Sequence, residues 1–66
     1  LNNDKQMLTH HSHFQYHMKH EIPVQVYEQG IHISLGCITA VEPQFVEIEG
    51  MLFNRNSYTF ISRPGY

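Results

Sequence analysis

Four histidines, His10, His13, His17 and His20, are the residues of this chain whose type and spacing could do chemistry. Neutral imidazoles at i and i+4 stand one helical turn apart and can share a metal ion. His13 and His17 have that spacing, and His10–His13 and His17–His20 are i,i+3 pairs. Such a set could hold Zn²⁺, Ni²⁺ or Cu²⁺ weakly. No carboxylate lies among these histidines to orient their second nitrogens, and the single cysteine, Cys37, is distant in sequence. A polar, solvated helix face is the plainer reading of the same stripe. His-Glu-x-x-His hydrolase motifs are absent, no serine has triad context, and the four glycines form no phosphate-cradling loop. Glu47 and Glu49 share one strand face, but such a pair is more often solvated than catalytic. These readings point away from an enzyme and away from a resident cofactor.

The element that must carry the histidines is a helix. Residues 1–21 hold five of the six histidines and no glycine or proline. Asn3 or Asp4 can cap a helix, and Pro23 pushes Ile22 out of helical space. At 3.6 residues per turn, Met7, His11, Phe14 and Met18 form one stripe and the four histidines a neighbouring one. A helix from Asp4 to His20 is therefore expected, with a partly ordered arm as the competing reading.

Residues 22–66 form the second expected unit. Val24-x-Val26-Tyr27, Ile31-x-Ile33-x-Leu35, Cys37-Ile38-Thr39-Ala40-Val41, Phe45-Val46-x-Ile48 and Ser57-Tyr58-Thr59-Phe60-Ile61-Ser62 read as a series of short strand runs. Gln29-Gly30, Glu42-Pro43-Gln44 and Gly50 separate them, and Gly36 permits a sharp bend inside a long strand. Val24, Val26, Ile31, Ile33, Leu35, Ile38, Ala40, Val46, Ile48, Tyr58 and Phe60 are the expected inward set. Tyr27, Phe45, Phe53 and Ile61 remain as the candidate interaction surface, for stacking nucleobases or for subunit contacts.

The segment Val24–Ser62, with its alternating apolar strands, Gly30 turn, internal Gly36 and apolar strand before Gly50, resembles the Sm-like small barrel of the Hfq type. That resemblance implies a mainly β fold with one N-terminal helix and a small, strongly bent, five-stranded antiparallel barrel. It also implies ring-like self-association and, in the family, RNA binding. The Tyr-Lys-His signature of uridine binding is not reproduced, since Thr59 and Phe60 follow Tyr58. No RNA-binding residue carries over. The whole chain, with its Ile61-Ser-Arg-Pro-Gly-Tyr66 ending, is similar to the YuzF-like uncharacterised small proteins of spore-forming bacteria.

Composition narrows the partners. The chain has 66 residues, a net charge of −2 with neutral histidines, and only four Lys and Arg. No basic patch for a phosphate backbone is visible, so RNA binding is disfavoured. A core this small usually needs reinforcement, and unpaired strand edges need covering, so a homo-oligomer is expected. No apolar run reaches membrane-spanning length, and the first residues lack the regions of a signal peptide. One apolar-flanked cysteine fits a reducing cytoplasm. A non-enzymatic protein acting through protein contacts is the leading expectation. An RNA-binding Sm-like protein and a histidine-rich metal-binding or spore-associated structural protein are the alternatives.

Overall fold

The computed structural model describes residues 6–66. Helix α1 (His11–Lys19) is followed by β1 (Val24–Glu28), β2 (Ile31–Gly36), β3 (Ile38–Val41), β4 (Phe45–Ile48), β5 (Met51–Asn54) and β6 (Thr59–Ser62). The fold is mainly β with one helix, as expected.

The five-stranded barrel is not what forms. Among the described residues there are six strands in two three-stranded sheets, β2-β1-β6 and β3-β4-β5, with no closed barrel. Two local features account for the difference. The long strand expected to run through Gly36 is two strands: β2 pairs with β1, β3 pairs with β4, and Cys37 lies between them. Glu49-Gly50 is not a strand end but a tight hairpin, with φ of 53° and 81°. Two consecutive positive φ values make the turn whose twist suits a two-residue hairpin. It sends the chain back as β5, with Ile48 opposite Met51 and Val46 opposite Phe53. Gln29-Gly30 turns β1 into β2 with the same backbone signature. Gly36 lies under the exposed Glu49 side chain: a Cβ there would meet Oε2 at 2.6 Å and Cδ at 2.8 Å, and that side chain would have to swing aside.

The helix is shorter than expected. Residues 1–5, including the proposed caps Asn3 and Asp4, lie outside the described residues. Within them, Met7 bridges Ile61, the Leu8 N–H donates to the Phe60 carbonyl at 2.9 Å, and the Ser62 N–H donates to the Gln6 carbonyl at 2.8 Å. Residues 6–8 thus add to the outer edge of β6, and sheet pairing takes the backbone groups a longer helix would have used. His10 is the extended residue before the helix, with φ −100° and ψ 154°. At the other end Glu21 turns left-handed at φ 54°. The Glu21 N–H donates to the Met18 carbonyl at 3.3 Å and the Ile22 N–H to the His17 carbonyl at 3.0 Å. This reciprocal pair closes the helix, and glycine is the residue that suits its left-handed position. Glu21→Gly is therefore expected to raise stability by about 1 kcal/mol, the left-handed penalty of an L-residue less the entropy glycine loses. Urea unfolding of both chains checks this, and a destabilised variant would refute it.

One core joins all parts. Leu8 from the arm, Phe14 from α1, Val24, Val26 and Phe60 from the first sheet, and Ile38, Val46, Ile48 and Phe53 from the second form a buried cluster. The helix and arm share this core with the sheets. No helix of the described residues is long and apolar enough to cross a membrane.

Candidate functional site

The histidine stripe is used as scaffold. The His13 ring folds back over the start of α1, where its Nδ1 accepts from the Thr9 N–H at 3.1 Å and the His10 N–H at 3.2 Å. It satisfies backbone donors ahead of the first turn, as Glu or Gln does in a capping box. An Nδ1 that accepts must be unprotonated, so this geometry requires a neutral ring with its proton on Nε2. His17 is buried. Its Nδ1–H donates to the His13 carbonyl at 2.8 Å, and its Nε2 accepts from the buried Ser62 hydroxyl at 2.7 Å. His17 thereby fastens α1 to β6. His10 packs edge-on against His13 at 4.9 Å, and exposed His20 lies 4.3 Å from the Tyr16 ring.

The expected ligand set is thus divided between capping, a buried tie and surface stacking. Among the described residues, no three or more His, Cys, Asp or Glu side chains are placed to hold one metal ion. A metal on His13 Nδ1 or on either His17 nitrogen would have to displace the bonds just described.

The expected interaction surface is also divided. Phe53 and Ile61 are buried and belong to the packing, not to a surface. Phe53 faces the core opposite Val46 because β5 exists. Ile61 lies between Gln25 of β1 and Met7 of the arm. Phe45 is exposed. Tyr27 is half-buried, 5.6 Å from the His32 ring, with its hydroxyl donating to Gln25 Oε1 at 3.2 Å.

The residues that do form an apolar surface were expected inside. Ile31, Ile33 and Leu35 of β2 are 67%, 42% and 36% exposed. Pairing puts the core-facing Val24 and Val26 opposite Gly36 and Ser34, so Leu35, opposite Gln25, points to the other face. A bulge at Ile33 shifts the register between Ser34 and His32, leaving Ile33 without a partner on β1. Met51 and Leu52 on β5 are exposed as well, at 57% and 68%.

No family model matches the chain, and no curated protein or solved structure matches it either.

The two edges of the first sheet differ in a way the chain's own chemistry explains. The β6 edge is covered by residues 6–8. The β2 edge has no strand beside it among the described residues, and no charged residue occurs from Ile31 to Gly36. Open edges are normally guarded by charge, proline or a bulge, and β2 has only the bulge.

Proposed function

We propose that this protein is a non-enzymatic interaction module that works as an assembly of its own copies, joined through strand β2. The observation that carries the reading is the uncharged β2 edge with Ile31, Ile33 and Leu35 exposed along it. One edge of the sheet is covered within the chain and the other is left for a second copy. Two β2 strands related by a two-fold axis would pair antiparallel and continue the sheet across the axis. Strand addition of this kind takes affinity from backbone hydrogen bonds and register from the alternating side chains.

Light scattering after size exclusion tests it. The chain mass is 7.8 kDa, and the wild type is expected to run at a multiple of that mass. Ile31→Lys/Leu35→Lys, which places like charges on both facing strands, is expected to run as a monomer with its circular dichroism unchanged. A monomeric wild type at the highest soluble concentration would refute the proposal, and so would a variant that stays assembled. A change of mass seen only with uridine-rich RNA would replace it with nucleic-acid binding.

A further inference from the structure

Arg55 follows β5 and is held from several sides. Its backbone N–H donates to the Gln44 carbonyl at 2.8 Å. Its Nη1 donates to His11 Nδ1 at 2.8 Å and to the Glu42 backbone carbonyl at 2.7 Å. Its guanidinium carbon lies 4.6 Å from the centre of the buried Phe14 ring. Every one of these partners is uncharged. A guanidinium has five N–H donors, and Nη1 supplies two. The three on Nε and Nη2 form no hydrogen bond with a described residue.

This fixed cation borders a recess of about 350 Å³ between the arm, the helix and the start of β6. Met7, Pro43 and Tyr58 supply its accessible apolar surface over a floor of buried Leu8, Phe14 and Phe60, and Arg55 and Asn56 its polar side. The volume lies within the range of small-ligand sites, which combine an apolar lining with a few placed polar groups. Helix α1 begins at His11, the residue bonded to Arg55, and has no acidic residue in its first turn. The positive end of the helix therefore adds to the guanidinium and nothing on that turn offsets it.

We infer that this recess binds a small monocarboxylate with an aromatic or branched apolar body. The carboxylate takes the donors on Nε and Nη2, a planar fork that matches its two oxygens. The apolar body lies against Met7, Pro43 and Tyr58. The site does not use the β2 edge, so it stands or falls independently of self-association.

Phenylacetate, titrated into the ¹⁵N-labelled full chain and followed by NMR, tests this. Saturable shifts are expected at the Arg55 side-chain N–H signals and at the Thr9, Asn56 and Tyr58 amides. Phenylacetamide has the same shape without the charge and is expected to bind at least about tenfold more weakly. Arg55→Lys keeps the charge but loses the fork, and is also expected to bind about tenfold more weakly with its fold retained. A tripeptide ending in Phe separates the sources of the carboxylate: tighter binding than phenylacetate assigns the site to peptide termini, weaker binding to free small acids. The inference is overturned if the wild type shows no saturable shift, if the amide binds as well as the acid, or if the shifts centre on Arg63.

Discussion

Phe14→Ala is expected to remove about 3–5 kcal/mol of stability, the range for truncating a buried aromatic. At roughly 0.05–0.15 kcal/mol per residue, a chain of 66 residues has about 3–10 kcal/mol in total, so this one change removes about a third of it or more. Phe14 is 1% exposed and meets Phe60 edge-on at 5.2 Å, with the Arg55 guanidinium on its ring. It is the fully buried apolar anchor of α1, whose other buried residue is His17. A nine-residue helix cannot hold itself together in water, so its helicity depends on that anchor. Tyr16, two positions along and 56% exposed, supplies the comparison. Tyr16→Ala should change stability by no more than about 0.5 kcal/mol. Urea unfolding followed by far-ultraviolet circular dichroism measures both. Equal losses in the two variants would show that the helix is not anchored through the core.

What was legible in the sequence follows from which interactions are local. The hairpin at Gln29-Gly30 could be read because a two-residue turn declares itself in residue type. Strands β1, β4 and β6 could be read because Val24/Val26, Val46/Ile48 and Phe60 keep one apolar face toward the core. Strand β5 was hidden because Met51-Leu52-Phe53 is a continuous apolar run with no alternation. In the fold only Phe53 of the three is buried. Alternation also says that Ile31, Ile33 and Leu35 share a face without saying which side of the sheet it is. The pairing of Gly36 and Ser34 with Val24 and Val26 turns Leu35 to the other face, and the bulge at Ile33 breaks the alternation, so Ile31, opposite Glu28, does not share the face of Leu35.

The candidate site was less legible because its parts meet across long stretches of chain. The histidine spacing was visible, but the helix was expected to begin at Asp4. Met7 and Leu8 instead pair with residues more than fifty positions away on β6. No local pattern announces that pairing. Arg55, which joins the start of the helix to the turn after β3, carries no spacing signal relative to His11 or Phe14. Ser62, the partner of His17, is 45 positions from it.

That last pair should be the most sensitive polar contact in the molecule. His17 is 8% exposed and Ser62 3%, and they meet at 2.7 Å. The His17 Nδ1–H is engaged by the His13 carbonyl, so in the neutral ring Nε2 is the acceptor and the serine hydroxyl the donor. Ser62→Ala removes the donor and leaves Nε2 buried without a partner, a loss of about 1–3 kcal/mol. In a domain this small, each kcal/mol lowers the melting temperature by roughly 4–8 °C. His17→Leu leaves the serine hydroxyl and the His13 carbonyl to find other partners, and should cost a similar amount. The double variant removes donor and acceptor together and should lose clearly less than the sum of the two singles. The expected coupling, about 1 kcal/mol, is the size of an ordinary hydrogen bond with both ends buried. Thermal unfolding of the wild type, both singles and the double closes the cycle. If the losses simply add, His17 fastens the helix by its ring packing alone, and the tie to Ser62 contributes nothing to the fold.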